Sequence, residues 1–249
     1  VQLRQIDPRD ASLITGVKRD IQLLRQVEPS SGDRITVLDI SMAKNHSDLL
    51  RVLSEGAEVF YVDHHSAGKM PESASLISLI NEAANVSTSL LVNQYLRGAR
   101  LGWGVVGTFG DNLKKVAQAM LNGKGFSSEQ VDLLEKLGIY MNYNGYGSVL
   151  NDLHFAPKEL YQLVIDYDDP LDFIVDSRHH FDKLETGYHQ DFAAVTSLQP
   201  LRSSSAAAVY MLPNQPWARR VSGVFSNDLT NQYPGRAHAV ITEKPTGDY

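Results

Sequence analysis

Three acidic positions in the chain have surroundings that suit metal chemistry: Asp39, the triplet Asp63-His64-His65, and Asp111. Asp39 ends the run Ile35-Thr36-Val37-Leu38, and Asp63 ends Val59-Phe60-Tyr61-Val62. Asp111 lies in Gly107-Thr108-Phe109-Gly110-Asp111-Asn112, which reads as a glycine-bearing turn leading into a helix. The chain has no cysteine, so a metal here is held by carboxylate oxygen and imidazole nitrogen. Such donors suit Mn2+ and similar cations. Two such ions roughly 3.5–4 Å apart can clamp a phosphoryl group, lower the pKa of a bridging water and stabilise the leaving oxygen. Taken singly, each feature has an ordinary use: Asp39 as a turn former, Asp111 as a helix cap, a histidine pair as a structural or solvent-facing one, like His179-His180. Their conjunction and order point to a metal site.

Those side chains need elements that bring them together. Arg34 to Ile40 reads as a buried strand, short, β-branched and followed by a polar cluster. Glu58 to Val62 reads as another, and Ser47 to Leu53 between them has helical spacing with Gly56 as a stop signal. Strand, helix, strand predicts a parallel sheet covered by helices, whose sites form at the carboxyl ends of the strands. Upstream, Ala11 to Thr15 is expected as a strand and Ile21 to Val27 as a helix. Ser87 to Arg97, Leu113 to Leu121 and Ser127 to Ile139 read as helices, the last capped by Ser127. Phe155 to about Gln199 is helical apart from a loop at 166–170. After Pro200 come a strand (Ala206 to Leu212), a helix (Trp217 to Asn231) and a strand (Ala237 to Thr242). The expected fold class is α/β: a mostly parallel sheet flanked by helices over residues 1–160, a helical connector over 161–199, and a second, smaller α/β domain over 200–249.

Composition narrows the function classes. With 249 residues, 43% hydrophobic and 21% charged, the chain can bury ordinary cores. It contains no run of eighteen apolar residues, so no membrane span is expected, and no signal-peptide pattern opens it. A cytoplasmic location fits. The net charge of −6 argues against a partner that is extended duplex nucleic acid and leaves room for a small anionic substrate.

At the triplet the pattern becomes specific. Val62-Asp63-His64-His65 resembles the signature of the DHH phosphoesterases, a superfamily that includes RecJ-type exonucleases, nano-RNases, cyclic-dinucleotide phosphodiesterases and manganese pyrophosphatases. Val37-Leu38-Asp39-Ile40 resembles its second motif and Gly110-Asp111-Asn112 its fourth, with Asn where many relatives have Thr. The resemblance implies a hydrolase of phosphate esters. It implies Asp39, His64 and Asp111 as metal ligands, Asp39 bridging two Mn2+ ions in the complete protein, with Mg2+ or Co2+ as alternatives. Asp63 would orient a histidine, and His65 would face the substrate phosphate or add a ligand. One departure stands out: the first motif, a strand with two acids one residue apart, has no match in Val1 to Asp10. That motif is expected upstream of Val1, and the closing glycine-rich motif beyond Tyr249.

Other segments offer substrate contacts. The loop Asn142-Tyr143-Asn144-Gly145-Tyr146-Gly147 could meet a base or ribose, with Asn144 as the candidate; it could equally end a helix. Ser87-Thr88-Ser89 reads as an N-cap, with a hydroxyl near the phosphate as the alternative. Arg219, Arg220 and Ser222 are candidates for phosphate, in a helix similar to the one opening the DHH-associated domain. The expected reaction is hydrolysis of phosphodiester bonds in a short oligonucleotide, nucleotide or other small phosphoester. The alternatives are a small-molecule phosphatase or pyrophosphatase, and a non-catalytic nucleotide-binding regulatory module; a homodimer stays open.

Overall fold

The structure, a computed structural model, describes residues 1–244. It opens with a short helix, α1 (Gln2–Ile6), and an irregular stretch broken by a 3-10 turn at Leu23–Gln26. Then come β1 (Arg34–Leu38), α2 (His46–Ser54), β2 (Glu58–Asp63) and β3 (Leu76–Ile80). The three strands form a parallel sheet in the order β1-β2-β3, with Ile35 opposite Val59 and Val59 opposite Leu76. Alternation fixes the register, because Val37, Val59 and Tyr61 point to one face and bury there with Met42, Leu49 and Val52 of the α2 side.

A run of helices follows: α3 (Thr88–Tyr95), α4 (Leu101–Gly110), α5 (Lys114–Leu121), α6 (Ser128–Tyr143), α7 (Pro157–Val164), α8 (Pro170–Asp176) and α9 (Arg178–Thr196). They share a core that includes Trp103, Phe109, Leu137, Tyr140, Phe173 and Phe181. Ser127 caps α6 in a full capping box with Gln130, as its sequence predicts. A second sheet closes the described chain: β4 (Arg202–Ser203), β5 (Ala207–Leu212) and, after α10 (Pro216–Gln232), β6 (Ala237–Thr242). Here β5 and β6 run parallel and β4 antiparallel. The α/β class with a smaller second α/β unit is therefore the observed one; residues 245–249 of the expected second domain lie outside the described residues. Among the described residues, no helix is long and apolar enough to cross a membrane.

The structure corrects several expectations. Ala11 to Thr15 forms no strand; it finds no partner strand and instead runs along a cleft beside the first sheet. The helix expected over Ile21 to Val27 is only the 3-10 turn. Four elements were not legible: α1, β4, α4 and β3. α4 carries Gly102, Gly104, Gly107 and Gly110 in ten residues, a composition that disfavours an isolated helix. Close packing outweighs that propensity: a Cβ on Gly107 would meet Ser89 Oγ at 2.3 Å, and one on Gly138 of α6 would meet the Val106 carbonyl at 2.3 Å. β3 is a short apolar run whose strand character comes from pairing with β2.

Candidate metal centre

The carboxyl ends of β1 and β2 are adjacent, since Leu38 pairs with Val62. Each strand therefore delivers its next residues to one place. At Asp39 the backbone turns out of the sheet with φ 62°, a left-handed conformation uncommon for a residue with a Cβ, while its N–H still donates to Val62 O at 3.1 Å. The turn leaves the Asp39 side chain half-exposed at the sheet's end, and the Thr88 hydroxyl donates to its Oδ1 at 2.7 Å. Ser87 caps α3 by accepting from Leu90 N–H, which sets Thr88 at the first position of that helix.

His64 follows β2. Its Nδ1 lies 2.7 Å from the Val86 carbonyl, an acceptor, so Nδ1 carries the proton and Nε2 keeps a free lone pair. That Nε2 is 3.5 Å from Asp39 Oδ1. His65 is held through Nδ1 by the Asp63 carboxylate at 2.7 Å, and Asp63 is fully buried. The two imidazoles meet edge to face with centroids 4.4 Å apart. One donor atom from each of Asp39, His64 and His65 lies within 4.8 Å of the others, close enough for one ion to touch all three. The set is one carboxylate and two imidazoles, each imidazole fixed by an acceptor behind it, an arrangement common around bound metals.

Asp111 arrives from the helical side. It follows α4 as its C-terminal cap, where its sequence context predicts a glycine-bearing turn leading into a helix, and it lines the same cleft as Asp39, His64 and His65. Burial raises the Asp111 carboxyl above the usual carboxylate range, the Asp39 charge adds to that, and His64, Lys18 and His65 act in the opposite sense. The cleft has a volume of about 2270 Å³, and residues 9–18 are among those that line it.

The sequence-predicted substrate contacts lie elsewhere. Arg219 forks onto Asp152, with Nε to Oδ2 at 2.9 Å and Nη2 to Oδ1 at 2.6 Å, and also donates to Asn214. Arg220 is buried against Asp191 at 2.6 and 2.8 Å. Both guanidiniums are spent on internal carboxylates, which secure α10 to the helical core. Ser222 turns back to the Arg219 carbonyl, and buried Asn144 bonds the backbone of Phe155 through both ends of its amide. None of these four lines the cleft at Asp39. Two residues that do line it, Thr88 and Lys18, carry no motif: Thr88 was legible as part of a cap, with a hydroxyl near the phosphate as the alternative, and Lys18 not at all.

No protein-family model matches the chain, and no curated protein matches it in sequence. Among solved structures it is similar to one described as the crystal structure of exonuclease RecJ bound to manganese, with a TM-score of 0.53 and 18% identity. The match covers 84% of this chain and 61% of that one, so the chain spans about three fifths of that structure's length. The likeness is one of fold: this chain has a RecJ-like α/β architecture.

Proposed function

We propose that the chain is a divalent-metal-dependent phosphoesterase that hydrolyses phosphodiester bonds of short oligonucleotides or small nucleotides. The carrying observation is the convergence of Asp39, His64 and His65 donors within 4.8 Å at the carboxyl ends of two adjacent parallel strands. The fold supports it, since the similar structure is that of an exonuclease bound to manganese.

In this reading Asp39, His64 and His65 would hold the ion, and Asp111, outside that group of three but in the same cleft, would serve beside it. Oxygen and imidazole donors without thiolate fit Mn2+, with Mg2+ and Co2+ as alternatives. When bound, the metal polarises the phosphoryl group and makes water acidic enough to attack near neutral pH. The chain's own residues prepare the place. Val86 O and Asp63 fix the proton on each Nδ1, so both Nε2 atoms stay free to bind. Thr88 holds Asp39 Oδ1 in position. Asp39 and Asp111 are the carboxylates able to serve a second ion.

The test is direct. Mn2+ titrated into the protein should give a bound, EPR-silent fraction that Asp39→Asn and His64→Ala abolish. The same variants should abolish turnover across a panel of pApA, a cyclic dinucleotide and pyrophosphate. Mn2+ binding left unchanged by both substitutions would sink the proposal. Preference within the panel separates a phosphodiesterase from a pyrophosphatase.

A further inference from the structure

The cleft also holds a lysine that is no member of the metal cluster, although its charge reaches Asp111. Lys18 sits in the irregular segment before β1 and is locked to the end of α6: its backbone N–H donates to the Gly145 carbonyl at 2.7 Å. Its ammonium donates to Asn142 Oδ1 and lies 4.9 Å from the centre of the Tyr146 ring. Both partners are neutral, and among the described residues Lys18 makes no ion pair. Of the other basic side chains lining the cleft, Arg9 pairs with Asp7, Arg34 with Glu58 and Arg4 donates to Thr36, while among the described residues Lys44 has no comparable pair of neutral partners around its ammonium. The position is tied to the metal cluster through packing. A Cβ on Gly110, the residue before Asp111, would meet the Asn142 Cβ at 3.4 Å, so the side chain that holds Lys18 packs beside the chain that delivers Asp111. An ammonium held by an amide oxygen and an aromatic face retains donor capacity for an anion.

We propose that Lys18, positioned by Asn142 and Tyr146, binds a phosphate group of the substrate in the cleft that contains Asp39, His64, His65 and Asp111. This rests on the phosphoesterase reading for its location and adds the residue that anchors the anion. An ammonium–phosphate contact is charge-assisted, and its loss is worth roughly 10- to 100-fold in affinity.

The experiment compares wild type, Lys18→Met and Lys18→Arg by titration with pApA in the presence of EDTA, and separately by Mn2+ titration followed by EPR. The expected result is a 10- to 100-fold weaker affinity for pApA in Lys18→Met, near-wild-type affinity in Lys18→Arg, and Mn2+ binding retained in both. Where turnover is present, the loss should fall on KM with kcat within about twofold. Equal pApA affinity in Lys18→Met and wild type overturns the inference, as does the absence of any pApA binding by wild type. The two readings fail separately. Loss of the metal reading shows as Mn2+ binding indifferent to Asp39 and His64, which leaves the pApA comparison intact.

Discussion

At Asp39 the backbone holds φ 62° with an aspartate side chain, a conformation that glycine would adopt with less strain. Strain kept at a strand end whose carboxylate meets two imidazoles is the pattern of a residue selected for its side chain. Asp39→Gly should therefore raise unfolding stability, by up to about 1 kcal/mol, while abolishing Mn2+ binding; urea melts and an EPR titration on the same sample check the two effects. Asp63 works at one remove. Its Oδ1 accepts from His65 Nδ1, its Oδ2 is buried without a partner, and no part of it reaches solvent. Asp63→Asn weakens the hold on the His65 proton and ring without removing a donor from the cluster. The expected cost is about 10–100-fold in Mn2+ affinity or in turnover, set against complete loss in His64→Ala. An Asp63→Asn protein that binds Mn2+ and turns over like wild type would show that His65 needs no orienting partner.

Among the elements, α4 decides whether Asp111 reaches the cluster. Gly138 of α6 brings its backbone against α4 so closely that a methyl would lie 2.3 Å from Val106 O, 2.9 Å from Phe109 Cβ and 3.0 Å from Gly110 N. Two of those three atoms are backbone and cannot swing aside. Gly138→Ala should cost about 1–3 kcal/mol or more in urea unfolding and displace the end of α4, so Mn2+ affinity should fall with stability. Gly235→Ala is the control, since a methyl there meets nothing within 4 Å. The same helix marks the limit of what the sequence discloses. β1, α2 and β2 were legible because Val37, Val59 and Tyr61 follow a pattern set by one buried face, and Leu49 and Val52 by another. The triplet after β2 was legible from residue types alone. α4 was not, because its glycines argue against a helix until the residues they pack against are known. The reading of Asp111 as part of a turn that leads into a helix, where it in fact ends one, follows from that. His65 as a donor equal to His64 was open in the sequence, since only the fold places Asp63 behind it.

Over the whole molecule, two ion pairs join α10 of the second unit to the helical core, and they account for the arginines that sequence context reserved for phosphate. Arg220 forks onto Asp191, which also accepts from the Tyr143 hydroxyl at 2.7 Å. Burial pushes the Asp191 carboxyl up, and its contacts with His154, Arg220 and Tyr143 more than reverse that. Removing one partner strands the other in the interior: Arg220→Met should cost about 3–5 kcal/mol, and replacing Asp191 by Leu in the same chain should recover a large part of it, measured as a double-mutant cycle in urea. Arg219 gives the pH signature. The guanidinium beside Asp152 holds that carboxyl down at about 2, against an ordinary 3.8, with backbone N–H groups of Ser148 and Val149 adding to the effect. A depressed carboxyl favours the folded state above its unfolded value and loses that advantage as pH falls through the folded one. The Asp152–Arg219 contribution is therefore complete above about pH 4 and disappears between pH 4 and pH 2. Urea melts at pH 6, 4, 3 and 2 should show wild-type stability falling across that window, with a shallower fall in Asp152→Asn, which starts lower because it has already lost the pair. Parallel slopes in the two proteins would place the acid sensitivity in other carboxylates and leave Arg219 free to serve a ligand instead of the join between the two units.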